Sequence, residues 1–209
     1  MVTWKSFLRN KKNLTEFIIT AIIVTAVIIA FSHFLHFVEQ RKGVVLNDPL
    51  LNAFNPIDLT WLTFVLIYLS LIIFVITTFN KPDRILIAFQ AYGLMLIFRT
   101  IAMYLTPFEA PETLLPLNDP FVQFFAKGDI LTKDLFFSGH TGTLFLVFLL
   151  AENKTLKTIF LILTLLVGTA VLLQHVHYSV DVFVAPFVAY GAYRIIKNLH
   201  IKISKETEQ

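Results

Sequence analysis

The 209-residue chain has no cysteine, which removes disulfide frameworks, thiolate nucleophiles and Cys-ligated zinc or iron–sulfur centres. Charge is scarce as well. Asp, Glu, Lys and Arg make up 15% of the residues, against about 25% in soluble domains, and this excludes a water-soluble globule. Seven Gly and eight Pro are too few for a collagenous, linker-like or disordered chain. What fills the space is apolar: 56% hydrophobic residues with 22 Phe and a mean hydropathy of +0.74. The composition is that of a membrane protein. The net charge of +3 does not argue for a nucleic-acid partner, because the basic residues gather at the ends of apolar segments, where membrane topology accounts for them.

A helix rising 1.5 Å per residue needs about 20 apolar residues to cross a ~30 Å hydrocarbon core. Six such runs occur: Glu16 to Val38, Ile57 to Phe79, Arg84 to Leu105, Leu135 to Ala151, Leu156 to Val176 and Val180 to Leu199. They predict an all-α integral membrane protein of six transmembrane helices, built as one domain over residues 1–209. The first run follows Lys5, Arg9, Lys11 and Lys12, but it is too long for a cleaved signal and further spans follow, so it reads as a retained helix.

With the N-terminus inside, twelve Lys and Arg fall in inner segments and four (Arg41, Lys42, Lys127, Lys133) in outer loops. This asymmetry predicts cytoplasmic termini. The outer loop from about Thr106 to Lys133 holds Pro107, Pro111, Pro116 and Pro120 with Glu109, Glu112, Asp119 and Asp129, and is expected to fold back over the outer mouth of the bundle.

A charge at mid-bilayer costs roughly 2.5–3.5 kcal/mol on insertion scales, so ionisable groups in or beside spans are functional candidates. Asp134, Ser138 and His140 open the fourth run, His175 and His177 close the fifth, Asp181 opens the sixth, and Arg99 lies toward the outer end of the third. All map to the outer face. His177 and Asp181 are four apart, so a carboxylate on the same helical face reaches the imidazole N–H; it fixes the tautomer and leaves the other ring nitrogen as nucleophile or base. His140 lies in Ser138-Gly139-His140-Thr141-Gly142, a helix start whose amides suit a phosphate, and a second histidine there suits a general acid. The competing readings are a structural His–Asp hydrogen bond and a zinc site drawing on His33, His36, His175 and His177, for which no complete ligand spacing is present. His200 reads as a solvated residue at the cytoplasmic end.

At these residues the chain resembles the sphingomyelin synthase family, the lipid phosphotransferase branch of the type 2 phosphatidic acid phosphatase superfamily. Asp134-Leu-Phe-Phe-Ser138-Gly139-His140-Thr141 matches its D-x-x-x-S-G-H-T motif, and His177-Tyr178-Ser179-Val180-Asp181-Val182 its H-Y-[TS]-x-D-V motif. Arg99 to Pro107 is similar to the segment ending the family's third span, and Leu46-Asn47-Asp48-Pro49 is weakly similar to its first-loop Pro-Leu-Pro-Asp. Thr132-Lys133 stand where the family often has Cys-Gly. The resemblance implies an exoplasmic site with a catalytic triad of His140, His177 and Asp181. Arg99, Ser138, Gly139, Asp134 and Tyr178 are the candidates for holding substrate and phosphate, with no metal and no cofactor. The superfamily's phosphatases usually carry a Lys-containing motif ending in Arg-Pro, and an Arg six residues before the nucleophilic His. Here that position is Val171, and no such motif precedes Ser138.

The expected activity is transfer of phosphocholine or phosphoethanolamine from a glycerophospholipid to ceramide or a similar lipid alcohol, releasing diacylglycerol. The alternative is a lipid phosphatase or phospholipase C-like hydrolase using the same triad. A proton or lipid carrier would need polar groups joining both faces, and the inner halves of the spans show almost none. The expected partners are membrane lipids.

Overall fold

A computed structural model describes residues 3–117 and 131–207, with side chains to residue 202. The helices are α1 (Trp4–Arg9), α2 (Lys11–Gln40), α3 (Thr60–Thr78), α4 (Pro82–Leu105), α5 (Gly139–Leu150), α6 (Lys154–Leu173) and α7 (Ser179–Thr207), with a 3-10 turn at Leu51–Ala53. Among the described residues there is no strand, only one parallel bridge between Val44 and Phe108. Polar punctuation sets the starts. Asn10 caps α2 through the amides of Lys12 and Asn13, Asn153 caps α6 through Thr155 and Leu156, and Pro82 occupies the first turn of α4, where its missing N–H costs nothing.

Among the described residues five helices (α2, α3, α4, α6 and α7) are long and apolar enough to cross a membrane. Their outward faces are apolar, as lipid contact requires: Ile22, Trp61, Ile76 and Phe183 are all exposed. The predicted fourth span is corrected. Instead of a helix over residues 135–151, α5 has 12 residues, about 18 Å of rise against a ~30 Å core. Ser138 caps its start, and Leu135 and Phe137 before it are buried in a loop packed into the core. Their apolarity serves loop burial, not helix continuation.

The ends of α5 define its level. At its first residue Gly139 lies against the Arg99 guanidinium of α4, and just beyond its last turn Glu152 pairs with Lys81 and Arg84 at the start of α4. α5 thus runs antiparallel to α4 from Arg99 down to Arg84. Because α4 continues six residues past Arg99 to Leu105, roughly 9 Å of helix, the start of α5 is recessed below that end of the bundle, which the basic asymmetry predicts to be the outer one.

α5 packs on both α6 and α7, α4 packs on α7, and α2 leans on α4. Ala185, Ala189 and Ala192 of α7 lie fully buried beside Ala91 and Met95 of α4 and Leu146 and Leu150 of α5, the small side chains letting backbones approach. The inner end holds more polarity than expected. His200 hydrogen-bonds the Gln90 side chain, and Gln90 donates to Glu16 and Thr20; His200 is partly exposed, as expected, and also ties three helices together. The apolar layer around Met95, Phe137 and Ala189 separates this cluster from the outer end.

Two outer loops close over the recess. Val44 N–H donates to the Pro107 carbonyl, and Glu109 N–H to the Val44 carbonyl. Leu115 N–H donates to the Gln174 carbonyl. The expected fold-back of the long outer loop is thus met over residues 106–117; Asp119, Pro120, Lys127 and Asp129 lie outside the described residues. Glu112, in this loop, and Lys154, beside Glu152, lie at opposite ends of the bundle, and the basic asymmetry predicts which end is outside. In intact cells a cysteine at Glu112 is expected to react with an impermeant maleimide while one at Lys154 reacts only after permeabilisation; the reverse pattern inverts the orientation.

Candidate active site

The turn between α6 and α7 delivers His177. α6 ends at Leu173, Gln174 caps it, and His175 takes a left-handed backbone with φ 56°, which reverses the chain within a few residues. Tyr178 then precedes α7, and its N–H donates to Asp181 Oδ2 at 3.2 Å. Asp181 sits three residues into the helix, where a carboxylate reaching back satisfies an orphan N–H of the first turn. The same Oδ2 lies 3.2 Å from His177 Nδ1. Both side chains are buried. Burial pushes the His177 imidazolium pKa below its ordinary value, while the hydrogen bond to Asp181 and its charge pull the other way and the nearby Arg99 charge adds to the lowering. The neutral ring holding its proton on Nδ1 keeps the Nε2 lone pair available.

His140 comes from the first turn of α5. Ser138 Oγ accepts from the Thr141 N–H and hydroxyl, while Ser138 N–H donates to the Asp181 backbone carbonyl at 3.1 Å. That bond joins the two motifs directly. The rings of His140 and His177 are neighbours, edge-on, with centroids 6.3 Å apart and planes at 63°.

Arg99 is buried and tightly held. Its Nε donates to the Phe137 carbonyl at 2.9 Å, its Nη2 pairs with Asp134 at 2.9 Å, and Phe31 of α2 covers the guanidinium at 5.5 Å. A Cβ on Gly139 would stand 2.7 Å from Arg99 Cζ, so glycine here is a requirement of the guanidinium's position. Arg99, Asp134, Gly139, His140, His177 and Asp181 are therefore brought to one level of the bundle.

The remaining predicted residues have other contacts. Ser138 spends its hydroxyl on the α5 cap. Tyr178 is buried with its hydroxyl donating to the Glu109 carbonyl at 2.9 Å and accepting from Leu46 N–H, so its side chain anchors the outer loops. Two side chains outside the predicted set hold the His177 turn. Gln174 donates to Thr60 Oγ1 at 2.7 Å and accepts from Leu59 N–H, and Asp48 accepts from Ser179 N–H at 2.6 Å. The legible signal for both was position, Gln174 flanking a motif and Asp48 sitting between Asn47 and Pro49 in the first outer loop. Among the described residues no three His, Cys, Asp or Glu side chains are grouped to hold a metal.

Residues 133–199 match the family model PAP2 superfamily C-terminal. That stretch is similar to the type 2 phosphatidic acid phosphatase superfamily of lipid phosphatases and phosphotransferases. It contains both motifs, α5, α6 and α7 through Leu199. No curated protein matches the chain.

Gly139→Ala is expected to push the guanidinium off the Phe137 carbonyl. The measurement is phospholipid turnover by the purified protein: a fall of at least about tenfold, the worth of one charged hydrogen bond, with Gly139→Ala adding nothing in an Arg99→Ala background because both act through one group.

Proposed function

We infer that the protein is a membrane phosphotransferase moving a phospho-alcohol head group, phosphocholine or phosphoethanolamine, from a glycerophospholipid to ceramide or a similar lipid alcohol. The observation that carries this reading is the buried His177–Asp181 pair, hydrogen-bonded at 3.2 Å, with the His140 ring beside it at a centroid distance of 6.3 Å. In the first step His177 Nε2 attacks phosphorus, the bond from phosphorus to the diacylglycerol oxygen breaks, and protonated His140 supplies the proton that oxygen takes. In the second, the acceptor hydroxyl gives its proton to His140 and its oxygen attacks phosphorus, breaking the P–N bond and restoring neutral His177. Asp181 steadies the positive charge that the phosphorylated imidazole carries while its Nδ1 proton stays in place. No oxidant, metal or second cofactor enters this balance.

The donor class follows from the charges. A phosphate monoester dianion needs surplus cations, and three of the described ones at this end of the bundle, Arg99, Lys133 and Arg41, are engaged, while Lys42 is exposed on the loop surface. Arg99 pairs with Asp134, Lys133 with Glu109 and the Arg41 carbonyl, and Arg41 donates to the Tyr104 carbonyl. A singly charged phosphodiester suits what is left, which fits the missing Lys and Arg of the phosphatase motifs. Transfer is favoured over hydrolysis because a site recessed among helices orients a lipid hydroxyl beside the intermediate as bulk water is not oriented. The site is read as exoplasmic, on the basic asymmetry of the loops.

Purified protein in liposomes with head-group-labelled phosphatidylcholine or phosphatidylethanolamine and ceramide is expected to yield labelled ceramide product and diacylglycerol in comparable amounts. Equal diacylglycerol release without acceptor, and no ceramide product, establishes the hydrolase instead. His177→Ala is expected to abolish both the product and any acid-labile labelled enzyme, and Asp181→Asn to lower turnover by orders of magnitude in a folded protein; near-normal turnover in His177→Ala overturns the mechanism. Since burial holds the His177 pKa below the ordinary histidine value of about 6.5, the nucleophile stays neutral further into acid. The acid limb of the rate, lost as imidazolium forms, is expected below that value in a pH profile of the saturating rate.

A further inference from the structure

The helix that carries Asp181 starts without a cap of its own. Four N–H groups at a helix start lack intrahelical partners, and the residue before the first turn normally supplies a Ser, Thr, Asp or Asn oxygen. Here that residue is Tyr178, whose hydroxyl is taken up by Leu46 and Glu109. Asp181 covers the Tyr178 N–H. The Ser179 N–H is covered from 131 residues away. Asp48 Oδ2 accepts from it at 2.6 Å and from Ser179 Oγ at 2.8 Å.

The other oxygen of Asp48 is equally engaged. Oδ1 accepts from Leu50 N–H at 3.0 Å and Leu51 N–H at 3.4 Å, opening the 3-10 turn at Leu51–Ala53. The side chain is 6% exposed, and rotating it breaks bonds on one side or the other. Although burial pushes the carboxyl up, the hydrogen bonds from Ser179, Leu50 and Leu51 outweigh it and hold the pKa below the usual carboxylate range. The group is therefore an anion at a helix N-terminus, where the helix dipole favours it.

We propose that Asp48 is a positioning residue for His177, a cap supplied by the first outer loop that sets the register between the α6–α7 turn and the first turn of α7. Ser179, its partner, lies two residues after His177 and two before Asp181. With Ser179 fixed, the 3.2 Å contact between His177 Nδ1 and Asp181 Oδ2 closes across a pinned backbone. Without it the first turn of α7 frays and that contact opens, while the helix stays docked through Ala185, Ala189 and Ala192. The side-chain hydrogen bonds of Asp48 run to Leu50, Leu51 and Ser179. Its loss acts on the rate at saturation, not on donor binding or the fold.

This inference rests on the reading of His177 as nucleophile, and its test includes a measurement that does not. Full-length wild-type, Asp48→Ala, Asp48→Asn, Ser179→Ala and Ser179→Thr proteins in nanodiscs are assayed for head-group transfer, for thermal unfolding, and for carbethoxylation of His177 by diethyl pyrocarbonate, with His140 in the same protein as the internal comparison. Asp48→Ala and Asp48→Asn are expected to lower the saturating rate by about 10²-fold, the scale of an ångström-level misplacement, with the half-saturating donor concentration unchanged. Ser179→Ala, which keeps the N–H bond, is expected to cost about tenfold, and Ser179→Thr to restore the rate. In the Asp48→Ala background Ser179→Ala should add nothing. The His177 to His140 modification ratio is expected to rise several-fold in both Asp48 variants. A folded Asp48→Ala protein with an unchanged ratio and rate overturns the proposal, as does a Ser179→Ala loss that multiplies with that of Asp48→Ala. If Asp48→Ala does not fold, the ratio in Ser179→Ala against Ser179→Thr decides. If wild-type protein transfers no head group, the functional reading fails, and the ratio alone still decides whether Asp48 holds His177.

Discussion

One residue, Asp181, ties the outer end of this bundle together. Its carboxylate oxygen Oδ2 serves His177 and the Tyr178 amide, and its backbone carbonyl receives the Ser138 N–H that starts α5. Through the first pair it fixes which nitrogen of His177 bears the proton. Through the last it sets where His140 lies relative to His177, because His140 is two residues beyond Ser138 on a capped helix. A carboxylate buried this fully is costly unless its charge is compensated; Oδ2 is met by the His177 imidazole and by the Tyr178 amide at the start of α7, while Oδ1 is buried without a hydrogen-bond partner among the described residues.

Arg99 plays the corresponding part on the α4 side. A guanidinium near the outer end of a span is tolerated because it is bound by Asp134, by the Phe137 carbonyl and under the Phe31 ring. The fork geometry lets it hold a loop carbonyl and a carboxylate at once, which a lysine ammonium does less well. The Asp134–Phe137 loop, apolar in sequence and buried in space, is shaped around that cation.

The helical segments and the cluster of ionisable residues were legible in the sequence, because membrane spans are contiguous in the chain and a charge inside them stands out. His177 and Asp181 are four apart in the chain, so their contact was legible from spacing, although His177 lies in the turn before α7 and not on the helix itself. The shortness of α5 was not legible, since an apolar run reads alike whether it continues a helix or lines a buried loop; the break depends on Ser138 capping the helix and on Arg99 receiving the Phe137 carbonyl. The tie among Glu16, Gln90 and His200 was hidden for a different reason. Each is a lone polar residue near a helix end, and only the packing of α2, α4 and α7 shows that they meet. Asp48 and Ser179 are likewise joined only by tertiary structure, and the hydroxyl of Tyr178, which motif matching assigned to substrate, belongs to the loops above.

The short helix α5 has a mechanical consequence. It is pegged at one end by Ser138 and Gly139 against Asp181 and Arg99, and at the other by Glu152 against Lys81 and Arg84. It works as a ruler laid along α4, setting the depth of the histidines from the inner end of the bundle and not from the outer surface. Bilayers differ in thickness by several ångströms, and spanning helices adapt by tilting or by deforming the lipid. A helix of 12 residues is too short to match a ~30 Å core, so it carries no mismatch of its own. Because α5 is tied at both ends to other helices, the spacing between His140 and the Glu152 clamp is set by the helix itself and not by the lipid around the bundle.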